Sequence, residues 1–296
     1  MQESESLTLG DGRTLSFAVY GAPASDTTVL YFHAFPSSRL EGRLWHAAAK
    51  SLNVRFVVPD RPGMGNSTFQ PSRTILDWPK DTITLVDHLG IERFYVMGLS
   101  GGGPYTLACL YGIPKERLAG ASVIGGLYPI TLGTAGMMMA SRIMLWVAPW
   151  MTGLFGTLMD YTMGKAARNK DPKVFEDLVM KEMRSRPEVD QQSIKDENIK
   201  HDFIESTREG VRQGSQGAAW EARLFGSPWG FELTQLHSEV PLTLWHGNLD
   251  INSPSAMVTK AKEMLPGATL RLEEGEGHVS LAFKFREDIL RELLGR

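Results

Sequence analysis

The stretch Gly98-Leu99-Ser100-Gly101-Gly102 constrains this chain more than any other. It follows the apolar run Phe94-Tyr95-Val96-Met97 and leads into Pro104-Tyr105-Thr106-Leu107-Ala108, so it reads as the turn between a buried strand and a helix. A G-x-S-x-G turn in that setting is so tight that its central residue is held in a strained conformation, and the residues two positions to either side must lack a Cβ. Ser100 then stands alone at the tip. A serine hydroxyl is a weak nucleophile, so the pattern carries chemistry only if the chain also supplies a general base and a group that orients it.

The pattern alone arises by chance in a chain with 30 glycines, so the weight falls on its partners. Val240–His246 reads as a buried strand, and the loop Gly247-Asn248-Leu249-Asp250 places a carboxylate just beyond its end. Asp250 is the acid candidate, the competing reading being an aspartate that caps its own loop. A second strand, Ala268–Leu272, runs into Glu273-Glu274-Gly275-Glu276-Gly277-His278. His278 is the base candidate, because of the seven histidines only this one sits late, after a strand, in a glycine-rich turn. His33 and His246 read as scaffolding that hydrogen-bonds backbone. The chain order Ser, Asp, His separates this arrangement from the chymotrypsin and subtilisin orders.

Together these segments resemble the serine-nucleophile, capped, esterase-like members of the α/β-hydrolase superfamily, and the resemblance covers nearly the whole chain. His33-Ala34-Phe35-Pro36-Ser37-Ser38-Arg39 is similar to the HGxPGSR loop of that group. Asp60-Arg61-Pro62-Gly63-Met64-Gly65-Asn66-Ser67 is similar to its DRPGxGxS loop, and Trp245-His246-Gly247-Asn248-Leu249-Asp250 to its WHGxxD loop. The resemblance implies a mostly parallel central sheet with helices on both faces and a helical cap inserted between the sixth and seventh strands. It also implies an oxyanion hole made by the backbone N–H groups of Phe35 and Gly101, with Gly101 helped by the start of the following helix. Ala34 and Ser37 stand where glycine is usual, and they matter if they move the Phe35 amide. Pro36 fixes the backbone just after it.

Composition excludes several other readings. A chain of 296 residues that is 42% hydrophobic can bury a large core. A formal charge of −3 supplies no basic footprint for nucleic acid. Cys109, the single cysteine, excludes an internal disulfide framework and reads as a small buried filler; no metal or organic cofactor is expected. The acidic, polar start Met1–Ser6 lacks a signal-peptide pattern, which leads to the expectation of a cytoplasmic protein.

Along the chain, the opening hairpin Leu7–Leu9 and Leu15–Tyr20 is followed by the buried strands Val29–Phe32 and Phe56–Val58, with helices expected over Leu40–Leu52 and Thr74–Leu89. From 127 to 229 the chain is helix-like without strands, and strand character resumes at Val240. The expected organisation is therefore a core from 1–126 and 230–296 with a helical cap at 127–229. Leu132–Met159 carries one charge, Arg142, and its hydropathy approaches that of a membrane span. Pro149, Gly153 and Gly156 interrupt it, so two short cap helices are expected instead. Its methionines and tryptophans, Met138 and Trp146 among them, would roof the pocket for a bulky apolar small-molecule substrate. The expected chemistry is acyl transfer on an ester-like carbonyl. Acyltransferase and C–C bond hydrolase chemistry use the same three residues, and a ligand-binding receptor on the same fold is the non-enzymatic alternative.

Overall fold

The computed structural model describes residues 1–296. Eight strands form one sheet: β1 (Gln2–Thr8), β2 (Thr14–Gly21), β3 (Thr28–Phe32), β4 (Arg55–Pro59), β5 (Phe94–Leu99), β6 (Leu118–Ile124), β7 (Leu242–Gly247) and β8 (Thr269–Glu273). Their order is β1-β2-β4-β3-β5-β6-β7-β8; the pairs β1–β2 and β2–β4 are antiparallel and every pair from β4 to β8 is parallel. In β3 the two-residue period divides the apolar run between the faces. Leu30 and Phe32 enter the core on one side of the sheet, while Val29 and Tyr31 enter the core on the other. Both faces are covered, which is why the central strands are continuously apolar. The edge strand β1 is instead polar and exposed, a composition that discourages pairing with another chain.

The helices over the sheet are α1 (His46–Ser51), α2 (Trp78–His88), α3 (Gly103–Gly112), α10 (Ser255–Met264), α11 (His278–Lys284) and α12 (Arg286–Leu294). The helix expected over Leu40–Leu52 begins as a 3-10 turn at Arg39–Trp45, capped by Ser38, and becomes α-helical only from His46. Gly42 explains the close seating of that turn, since a Cβ there would meet the Tyr20 ring at 2.4 Å. The helix expected from Thr74 likewise starts as a 3-10 turn at Ile75–Asp77, and Pro79 lies in the first turn of α2, where its missing N–H costs nothing.

Between β6 and β7 lie only helices: α4 (Met139–Met159), α5 (Lys165–Ala167), α6 (Lys173–Met183), α7 (Glu188–Ser193), α8 (Glu197–Arg212) and α9 (Gln216–Phe225), with short 3-10 and π turns. The two helices expected in Leu132–Met159 are one element with a break at Met151 (φ −126°, ψ 35°). Pro149 is the cause, because it cannot donate to the Leu145 carbonyl one turn back. Leu145, Ala148 and Met159 face inward, whereas Met139, Ile143, Trp146, Trp150, Leu154 and Leu158 form the outward face and are more than half exposed. No helix is long and apolar enough to cross a membrane.

Candidate active site

Strand β5 ends at Leu99 and a 3-10 turn carries the chain into α3, with Ser100 at φ +55° between them. That left-handed conformation is costly for a residue with a side chain and persists only where packing imposes it. The packing is visible at the flanking glycines. A Cβ on Gly98 would lie 2.4 Å from the Gly102 carbonyl oxygen, and one on Gly102 would lie 2.0 Å from the Phe32 carbonyl oxygen.

His278 is the first residue of α11, and its Nε2 lies 2.8 Å from Ser100 Oγ. Its Nδ1 lies 2.6 Å from Asp250 Oδ2. The other Asp250 oxygen accepts the N–H groups of Asn252 (2.7 Å) and Ser253 (2.9 Å), so the loop after β7 fixes the carboxylate before the histidine meets it. Asp250 thus also caps its own loop, and the two readings of that residue are compatible. Burial pushes its carboxyl pKa upward, but the opposing effects, led by His278 and joined by His246 and the Ser253 N–H, bring the value below the ordinary one. Gly125, at the end of β6 with φ +50°, leaves the room this pair needs: a Cβ there would stand 3.3 Å from His278 Nδ1. The three residues proposed from sequence are therefore brought into one hydrogen-bonded line.

The loop after β3 lies beside the turn. A Cβ on Gly101 would be 2.6 Å from Phe35 Cβ and 3.2 Å from Phe225 Cζ. The Phe35 N–H has no acceptor within the chain, and Gly101, as an early residue of a helical turn, has none within that turn. Phe35 precedes Pro36 through a cis peptide bond, and Ala34 and Ser37 keep negative φ, so neither position requires glycine.

A buried ionic network holds this loop, and the sequence reading missed it. Arg61 donates through Nη2 to the Ala34 carbonyl (3.0 Å) and through Nη1 to the His33 carbonyl. The same guanidinium is gripped by Glu221 of α9 (2.5 Å), which also accepts from Arg73 (3.2 Å) and the Tyr105 hydroxyl (2.9 Å). Glu41 accepts the Ala34 N–H from the other side (3.0 Å), and burial raises its pKa despite those bonds. His33 Nδ1 lies 2.8 Å from the Ala34 carbonyl while Nε2 accepts the Arg61 N–H (3.3 Å), a pattern that requires one ring nitrogen to be unprotonated. Burial, with the Arg61 charge adding to it, accordingly holds the His33 pKa well below the ordinary histidine value. His246 Nε2 lies 2.6 Å from the Ser253 carbonyl, and burial lowers its pKa as well.

Asp190 of α7 was also missed. It is fully buried and accepts three successive backbone N–H groups at the start of α11, those of His278, Val279 and Ser280. The sequence signal was weak, because Lys165–Lys200 reads as a solvated charged face in which one aspartate has no distinguishing mark.

The two residues expected to roof the site stand apart from each other. Met138 is half-buried, and its N–H donates to the Ile251 carbonyl (2.7 Å) beside Asp250. Trp146 is 55% exposed on the outward side of α4, which departs from the expectation. Helical spacing groups it with Met139, Ile143 and Trp150, opposite Leu145 and Ala148. The aromatics that pack beside Gly101, the residue after Ser100, are Phe35 and, from α9, Phe225, edge-to-face at 5.5 Å between ring centroids.

Comparison with known proteins agrees with this architecture. Residues 29–290 match the alpha/beta hydrolase family. Among curated relatives, the chain is 30% identical over 94 residues to the uncharacterized hydrolase YcgS of Bacillus subtilis (strain 168), 32% of each chain. It is 33% identical over 112 residues to RutD of Caulobacter sp. (strain K31), provisionally assigned as a carbamate hydrolase; that match covers 36% of this chain and 41% of the relative. The matched stretches thus span a third to two fifths of those relatives. Among solved structures, the esterase RhEst1 from Rhodococcus sp. ECU1013 superposes with a TM-score of 0.67 at 18% identity, covering 99% of this chain and 98% of that one, which is a likeness of fold. A mostly parallel eight-stranded sheet, a strained serine between β5 and α3, and a family match over residues 29–290 together make this chain a member of the alpha/beta hydrolase family.

Proposed function

We propose that this protein is a serine hydrolase that acts by acyl transfer on an ester-like carbonyl substrate. Ser100 Oγ attacks the carbonyl carbon as His278 Nε2 takes its proton; Asp250 holds the imidazole by Nδ1 and stabilises the imidazolium that forms. The negative charge that develops on the carbonyl oxygen is met by the N–H groups of Phe35 and Gly101. His278 returns the proton to the leaving group, and water, activated by the same imidazole, releases the acyl group and restores Ser100. The carrying observation is the hydrogen-bonded line Ser100–His278–Asp250, at 2.8 and 2.6 Å.

In this reading residues 1–126 and 230–296 are the catalytic core, and 127–229 is a helical cap over it. Phe35 and Phe225, which crowd Gly101 next to the serine, favour an apolar acyl group. The test is labelling with a fluorophosphonate followed by mapping of the modified residue, together with turnover of chromogenic esters of graded acyl length. Ser100→Ala abolishes the label and lowers turnover by about three orders of magnitude or more while the fold persists. A label that survives in Ser100→Ala refutes the assignment.

A further inference from the structure

Asp190 and His278 are 88 residues apart, yet the first three N–H groups of α11 all end on this one carboxylate. Oδ2 accepts from His278 itself (3.2 Å), and Oδ1 accepts from Val279 and Ser280 (both 2.9 Å). Asp190 and His278 Nε2 lie on opposite sides of one residue: the backbone is tied to α7 and the ring points at Ser100. Two further features show that the seat is specific. A Cβ on Gly277 would lie 2.4 Å from Asp190 Oδ1, so the glycine before the histidine is what admits the carboxylate. Met183 and Ile194, which bracket α7, are each 1% exposed and pack in the same core cluster as Val279 and Phe283, so α7 is anchored where it makes these bonds.

We propose that Asp190 is a positioning residue for His278, so that the segment between β6 and β7 sets the base as well as covering the site; this rests on His278 acting as the base. The imidazole makes two bonds in opposite directions, to Asp250 and to Ser100, and its freedom to rock is set by its Cα. With Asp250 fixed by its own loop and Ser100 by the turn, the start of α11 is the third support, and Asp190 holds it. Loss of that support lets His278 drift from Ser100 without removing any reacting group.

Asp190→Asn is the informative variant. It keeps the size and one acceptor oxygen, but it turns an N–H donor toward at least one of the three backbone donors. Gly277→Ala disturbs the same seat from the helix side. Asp196→Ala is the control: Asp196 caps α8 in the same segment, accepting the N–H groups of Asn198 (2.9 Å) and Ile199 (3.2 Å), with no bond to α11. Three quantities are measured: kcat and KM for a chromogenic ester, the rate of fluorophosphonate labelling, and the downfield proton resonance of the His278 Nδ1–H bond to Asp250. The expected result is a roughly 10–100-fold fall in kcat for Asp190→Asn and Gly277→Ala, the size of effect that a displacement of about 1 Å produces. KM stays within a few-fold, labelling slows in proportion, the resonance shifts or broadens, and Asp196→Ala changes none of these. An unaltered resonance and kcat in folded Asp190→Asn overturn the proposal, as does an equal loss in Asp196→Ala. Should Asp190→Asn fail to fold, Gly277→Ala decides in the same way. If the wild-type protein is neither labelled at Ser100 nor active on any ester, the proposed reaction fails, while the proton resonance still decides whether Asp190 positions the ring.

Discussion

Glu221→Gln tests how the buried network supports the site. Glu221 has no exposed surface and is the carboxylate shared by Arg61 and Arg73, which are themselves buried, and by the Tyr105 hydroxyl. Glutamine preserves the volume and one acceptor oxygen but removes the charge that compensates two guanidiniums. Breaking a buried ion pair from one side costs about 3–5 kcal/mol, and the retained oxygen places this variant near the lower end, about 3 kcal/mol. Against a total stability of about 5–15 kcal/mol the variant stays folded at room temperature, with a melting temperature lowered by roughly 5–10 °C. The catalytic consequence follows from where Arg61 spends its other donors, on the carbonyls of His33 and Ala34 immediately before the Phe35 amide. A loosened Phe35 N–H forfeits part of the factor of about 10²–10³ that one oxyanion donor supplies, so kcat falls by at least about tenfold with little change in KM. Calorimetry and ester kinetics on the same preparation measure both, with Glu239→Gln, which breaks an exposed pair with Lys115, as a control without effect on either. Unchanged stability refutes the account of the network. Lost stability with unchanged kcat refutes the link from Arg61 to the Phe35 amide, leaving Glu41 as the group that holds the loop.

Acid sensitivity follows from the buried histidines. The folded-state pKa values of His33 and His246 are lowered, so as pH falls through about 6.5 the unfolded chain gains protons that the native state refuses. Stability is therefore complete above that pH and is lost below it, each histidine adding up to about 1.4 kcal/mol per pH unit. Urea unfolding of His33→Gln between pH 7.5 and 5 shows a slope shallower by about one proton; an identical slope contradicts the expectation. At the pocket, Phe225→Ala changes the relative kcat/KM for short and long acyl chains by about tenfold or more, the scale of one or two methylenes in an apolar pocket, whereas Trp146→Ala does not. A selectivity change confined to Trp146→Ala returns α4 to the role of roof.

What was legible from sequence alone follows from local rules. The glycines around Ser100 report a turn whose steric demand is met within five residues. The apolar runs of β3 to β7 report strands buried on both faces; the loop carrying Asp250 sits at the end of the last of these, and the loop carrying His278 at the end of the exposed edge strand β8. Parallel strands of one sheet end on the same edge, so residues placed at strand ends are brought together once the strand order is known, and Ser100, His278 and Asp250 meet for that reason. The positions that only the tertiary structure decided share no such signal. Asp190 reaches His278, and Glu221 reaches Arg61, across 88 and 160 residues, and a lone carboxylate in a charged helical stretch looks the same whether it faces water or a neighbouring helix terminus. Trp146 illustrates the complementary case. Both sides of α4 are apolar, so periodicity establishes which residues share a face but not which face turns inward, and that choice was made by the packing of α4 on α9, where Gly156 seats against Ala219 and Leu145 against Gly226 at the end of α9.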